Sequence, residues 1–292
     1  MKTLKLNEKD IKIPENWAEV PFSKFLEFNN LSKTFKTKEE MEEEYKDDKE
    51  TKEYKITLDN LKANTKVASF WTGLTEDEIS MCDIDSINEL MEDLNFMTQT
   101  YTPININSFK FKGEEYFVPE TGMRKSTFGD YIEAEQVEIN NKELEDGKLE
   151  SLPMQTAILC KKKEELGTNL SEDTVMERVD IFKELDMATI WDVGFFFDQT
   201  RTKIVEQYPN VFKAGKTTTA KKVASQKTIA GYGWLNSVYP LAEKGVFNLP
   251  NETPIESVLK GGLYEVLTYL SWQQACVDYE EMLIDLQKNK NK

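Results

Sequence analysis

One stretch of this chain occurs twice, and that limits the folds open to it. Ser108 to Glu133 reads SFKFKGEEYFVPETGMRKSTFGDYIE, and Thr3 to Glu27 reads TLKLNEKDIKIPENWAEVPFSKFLE. With Ser108 laid on Thr3, Phe109 falls on Leu4, Phe111 on Leu6, Tyr116 on Ile11 and Val118 on Ile13. Pro119-Glu120 then falls on Pro14-Glu15, and one residue of slippage brings FGDYIE over FSKFLE. Alternation alone would be a weak match. A shared Pro-Glu stop, followed at a similar distance by an aromatic-led helix start, is a stronger one. The period of about 105 residues is far longer than that of a solenoid repeat. Two like units are expected, each a hairpin followed by helices.

The local signals fill in those units. Leu4, Leu6, Ile11 and Ile13 alternate around Asn7-Glu8-Lys9-Asp10, and Phe109, Phe111, Tyr116 and Val118 flank Lys112-Gly113-Glu114. Both read as half-buried hairpins, with Gly113 supplying a positive φ. Helices are expected from Pro21, from Leu58, after the Thr75/Glu78 capping box and from Thr127. Further helices are expected over Leu149–Cys160 and, as one long helical stretch closed off by Pro209, over Val179–Glu206. Residues 36–55 are almost all Lys, Glu and Asp, which reads as a solvated helix or insertion more readily than as an acidic recognition arm. Residues 213–228 read as a basic linker. Beyond them the chain reads as all-helical, with a short helix at Pro254–Leu259 and a long one from Leu263. The expected fold is α+β and mostly helical: a first repeat over 1–104, a second over 105–212, and a linker with a helical segment over 213–292.

Composition excludes more chemistry than it suggests. The 292 residues include 53 acidic and 37 basic side chains and no histidine, a formal charge of −16. Without histidine there is no Ser-His or Cys-His nucleophile and no imidazole metal ligand. A field of that sign repels phosphate backbones and anionic lipid, so neither nucleic acid nor membrane is expected as a partner. The isolated Cys82, Cys160 and Cys276, and an opening MKTLKLNEKD without an apolar core, point to a reduced cytosolic chain.

No motif survives inspection. Gly215-Lys216-Thr217 ends like a phosphate-binding loop, but position 210 is Asn where that loop needs glycine. Asp83-Ile84-Asp85 opens like a calcium loop but lacks its third acid and its glycine. The last helix is more informative. Tyr269, Trp272, Cys276, Tyr279, Leu283 and Leu286 recur at alternating spacings of three and four, as in a helix–helix seam. A second stripe runs through Leu263, Val266, Leu267, Leu270, Val277 and Ile284. Both stripes could pack inside the protein, against a helix over Tyr232–Tyr239, or the seam could receive a partner helix. Phe195-Phe196-Phe197 cannot all face inward from one helix, so Phe195 and Phe196 join Tyr269, Trp272, Tyr279 and Leu283 as candidate partner-binding residues.

FKFKGEEYFVP, STFGDYIEAE, WDVGFFFDQT and the segment from YGWLNSVYPLAEKG to ACVDYEE together resemble tail-assembly-chaperone-like proteins of tailed bacteriophages. The resemblance spans Ser108 to Glu281, and the extra N-terminal copy makes this chain longer than simple members. It implies a non-enzymatic protein without cofactor or metal, in the host cytoplasm, that binds a helical or apolar segment of the tape-measure protein. A permanent virion component of the same ancestry (ring, connector or capsid-associated) and an acidic decoy for a host defence protein remain alternatives.

Overall fold

The computed structural model describes residues 1–47, 50–212 and 233–290. It is α+β and mostly helical, with two small antiparallel hairpins and a helical C-terminal part. The chain forms two compact units. One comprises Met1–Pro103 with Lys183–Thr189; the other comprises Ile104–Phe182 and the described residues from Ile190 on. The basic stretch 213–228 and Gly215-Lys216-Thr217 lie outside the described residues.

In the first unit β1 (Lys2–Leu6) pairs with β2 (Lys9–Ile13), with Leu4 opposite Ile11. The turn is Asn7-Glu8, both at positive φ (47° and 62°), a pattern that matches the right-handed twist of the strands. Leu4, Leu6 and Ile13 are buried, so alternation decides which face packs. A 3-10 turn, Trp17–Glu19, leads into α1 (Phe22–Ser32). Then come α2 (Lys38–Glu44), α3 (Lys52–Thr72), α4 (Glu76–Ser80) and α5 (Ile84–Asp93). The charged stretch after residue 36 is therefore helical over Lys38–Glu44 and again from Lys52. Thr37 and Glu40 form a capping box at the start of α2, and α3 begins at Lys52, a turn and a half before the apolar signal at Leu58. Thr75 and Glu78 make the expected capping box on α4. Asp83 of the rejected calcium loop is the N-cap of α5, its carboxylate accepting from the Ser86 amide.

The second unit repeats the design. β3 (Ser108–Phe111) pairs with β4 (Glu114–Phe117), Phe109 stands opposite Tyr116, and the turn Lys112-Gly113 has φ of 47° and 86°. A 3-10 turn, Thr121–Met123, precedes α6 (Phe128–Asn141), which Thr127 and Asp130 cap reciprocally. α7 (Gly147–Leu159) and α8 (Glu172–Phe182) follow. Phe22 and Phe128, matched in the sequence repeat, are both fully buried at the first turn of their helices.

The long helix expected over Val179–Glu206 is broken. α8 ends at Phe182 and α9 spans Met187–Gln207, followed by α10 (Pro209–Phe212). The break has a backbone cause. The Phe22 amide donates to the Leu185 carbonyl and the Met187 amide to the Val20 carbonyl, each at 2.8 Å, so residues 185–187 lie extended beside the start of α1. The same device recurs where α11 (Leu235–Lys244) and α12 (Pro254–Leu259) give way to α13 (Leu263–Lys290). There the Phe128 amide donates to the Gly261 carbonyl at 2.8 Å, and the Leu263 amide to the Ser126 carbonyl at 3.1 Å. Each hairpin-helix unit is thus closed by an extended link that opens a long helix, α9 or α13. The expected helix at Tyr232 begins, among the described residues, at Leu235.

Candidate partner-binding face

α13 changes character along its 28 residues. Its first turns belong to the core: Leu263, Val266 and Leu267 are fully buried, and Leu270 is half-buried. From Trp272 onward the helix leaves that core. Trp272 is 60% exposed, Tyr279 58%, Leu283 40% and Leu286 52%, and Val277, Met282 and Ile284 are also exposed. The 3–4 spacing places Trp272, Tyr279, Leu283 and Leu286 on one side, so the exposure forms a continuous apolar strip. A packed interior for both stripes therefore holds only to about Ser271. Val277 and Ile284, which share a stripe with Leu263, Val266 and Leu267 by spacing, are in solvent.

The strip joins the body of the unit through a chain of aromatic contacts. Phe247 meets Tyr269 edge-on at 6.0 Å between ring centroids, and Tyr269 meets Trp272 at 5.6 Å. Tyr269 is half-buried and marks where core becomes surface. Phe195 and Phe196 stand elsewhere, on α9. Phe197 is fully buried against Tyr131, Phe196 is half-buried and Phe195 is 39% exposed, so one helix cannot hide three consecutive rings. No ring contact joins either of them to Tyr269 or Trp272 among the described residues, and the candidate residues fall into two groups.

A second feature of this unit gave no sequence signal. A cavity of about 420 Å³ is walled by Phe117, Val118, Pro119, Leu159 and Leu166, with Asp130 and Lys161 in its lining. Lys161 Nζ lies 2.6 Å from Asp130 Oδ1, and the two side chains are only 4% and 6% exposed. Lys161 also donates to the Thr168 carbonyl, and the other Asp130 oxygen accepts from the Thr127 amide at 3.2 Å. This pair therefore satisfies itself and anchors the start of α6 to residues 161–168. Burial, reinforced by the nearby Asp130, raises the neighbouring Glu133 to about 7. Cys160 is fully buried and its thiol is pushed up by that burial, so it packs as a small apolar residue.

Among the described residues no group of three His, Cys, Asp or Glu side chains could hold a metal ion, and no helix is long and apolar enough to cross a membrane. Comparison with protein-family models, curated proteins and solved structures finds no match. What this chain offers a partner must be read from its own surface. Among the described residues of the second unit, the Trp272–Leu286 strip is an extended row of exposed apolar side chains on one helix. Exposed apolar surface of this kind, with Glu280 along its edge, is the usual mark of an interaction site.

Proposed function

We propose that the protein is a non-enzymatic bacteriophage assembly factor of the chaperone type, which holds a helical, apolar segment of another phage protein of the tape-measure kind on the distal half of α13. The observation that carries this reading is the strip itself: two aromatics and two leucines at coiled-coil spacing, in solvent, on a helix whose first turns are firmly packed. A helix with an apolar face lies into such a strip as it would into a coiled-coil partner. The net negative charge of the chain favours solubility and disfavours nucleic acid. The host cytoplasm, before the tail closes, is where such a protein acts. A permanent place in the virion is the second reading, because an apolar strip also suits a fixed neighbour.

Mass spectrometry of purified virions and of infected-cell lysate separates the two. Abundance in lysate with absence from virions is expected of an assembly factor, and a stoichiometric presence in virions would refute it. Copurification with the tape-measure protein should persist when salt is raised from about 0.1 M to about 1 M, because apolar contacts are not screened. A complex that dissolves over that range would instead point to the acidic-decoy reading.

A further inference from the structure

The internal repeat supplies a reference for the α13 strip. α9 is its counterpart, since both helices open from an extended link hydrogen-bonded to the start of a hairpin-following helix. Aligning Met187 with Leu263 puts Lys203 under Tyr279 and Gln207 under Leu283. On α9 those positions are exposed and polar, as a solvated helix surface should be; on α13 they are exposed and apolar. The departure calls for something that covers α13.

A matching face stands on the other unit. α3 is 21 residues long, about 31 Å, and carries Tyr54, Leu58 and Leu61 at 70%, 36% and 55% exposure. Their spacings of four and three match the α13 seam, and Thr65 continues the row. The charges are opposite in sign. α3 carries four lysines against two carboxylates, and α13 from Trp272 on carries four carboxylates against two lysines.

We propose that the distal half of α13 docks antiparallel on α3 of a second copy of this chain, so that copies associate head to tail. The proposal rests on the reading of the Trp272–Leu286 strip as a docking face and names what covers it before a tape-measure segment displaces it. In the register that matches both rows, Tyr54 meets Leu283, Leu58 meets Tyr279, Leu61 meets Cys276 and Thr65 meets Trp272. The same register sets Lys55 beside Glu280, whereas a parallel pairing gives Lys55 no carboxylate across the seam. The two faces differ, so the contact is heterologous: every open assembly keeps one free α3 at one end and one free α13 at the other, and association runs on to a ring or a chain.

Sedimentation velocity on the full chain tests this with two variants, Leu61→Asp and Leu283→Asp. Both substitutions are on exposed helix faces, and circular dichroism checks that each variant folds. Wild-type protein is expected to grow with concentration beyond a dimer, and each variant alone to stay monomeric. An equimolar mixture should form a dimer and stop there, because one intact α3 then meets one intact α13. Lys55→Glu should weaken association at least threefold, and Glu280→Lys in the same chain should restore it. A wild-type protein that stays monomeric at every concentration would overturn the proposal. So would a Leu61→Asp variant that associates like wild type, or a mixture of folded variants that stays monomeric. Capture of the tape-measure protein by Leu61→Asp, but not by Leu283→Asp, tests the docking reading separately. If that holds while self-association fails, the face is real and the second copy is not its occupant.

Discussion

Replacing Asp130 by Asn leaves the shape of the α6 cap in place and removes one buried charge. The amide oxygen can still accept from the Thr127 amide, as the carboxylate does at 3.2 Å. What is lost is the anion 2.6 Å from Lys161 Nζ, in a pair whose side chains are almost entirely out of solvent. Breaking a buried pair by removing one partner costs about 3–5 kcal/mol, because the remaining charge stays buried and uncompensated. Two features set the value within that range. Lys161 keeps its bond to the Thr168 carbonyl, which favours the lower end. Release of a proton from an ordinary lysine at pH 7 costs about 4.6 kcal/mol, which caps the penalty. We therefore expect Asp130→Asn to cost about 3–4 kcal/mol. With a urea slope of about 3 kcal/mol/M, the midpoint of the transition that reports this unit, followed by circular dichroism, should fall by about 1 M. Adding Lys161→Met removes the stranded ammonium and should recover at least half of the loss, a non-additivity expected only of groups in contact. A loss below about 1 kcal/mol, or a double variant no more stable than the single one, would refute the account of this pair.

Three further outcomes follow from burial and close approach. Glu133 holds its proton to about 7 in the folded protein, against an ordinary value of 4.5. The unfolded chain binds fewer protons between those values, so this group makes stability fall as pH rises from 4.5 toward 7. Discounted for its partial exposure, Glu133→Gln should stabilise by about 1 kcal/mol at pH 8 and change nothing at pH 4, read from urea midpoints at the two pH values. Tyr131 is fully buried and its hydroxyl has no hydrogen-bond partner among the described residues. Tyr131→Phe should therefore raise the thermal midpoint, by the equivalent of about 1 kcal/mol, and a lower midpoint would reveal a partner for the hydroxyl. A Cβ on Gly147 would lie 1.7 Å from the Asn141 carbonyl oxygen, backbone that cannot move aside alone. Gly147→Ala should cost at least about 2 kcal/mol, whereas alanine elsewhere at the start of a helix is nearly free.

The hairpins were legible because alternation, turn and stop agree at every level. Leu4 opposite Ile11 and Phe109 opposite Tyr116 are the pairs that the repeat places in register. The capping box at Thr75 was legible for a similar reason, as was the start of α6 at Thr127: a short pattern carries its own hydrogen bonds. The break between α8 and α9 was not. Lys183 to Asp186 has no glycine or proline, and only pairing with Val20 and Phe22, some 160 positions away in the chain, holds it extended. The beginning of α3 at Lys52 was hidden because its first turn is charged and propensity outweighs the missing apolar signal. No pattern in the local sequence marks Lys161 and Asp130 as a buried pair. The one available clue was position, since Lys161 directly follows the buried run from Gln155 to Cys160, and Asp130 sits at the third position of a capped helix. On α13 the apolar row was legible from its spacing. Whether it faced core or solvent was not, because coiled-coil spacing is the same in both settings.

The central claim is that the exposed strip on α13 holds a helical segment of the tape-measure protein. Its most direct test is the affinity of the purified tape-measure protein for the wild-type chain and for Tyr279→Glu, measured by titration calorimetry at one salt concentration. Tyr279 is 58% exposed, so the substitution should leave the thermal midpoint within about 1 °C of wild type. A central aromatic anchor contributes about 2 kcal/mol or more, so the account predicts an affinity at least about thirtyfold weaker for the variant. Equal affinities for the two proteins, with both folded, would contradict it.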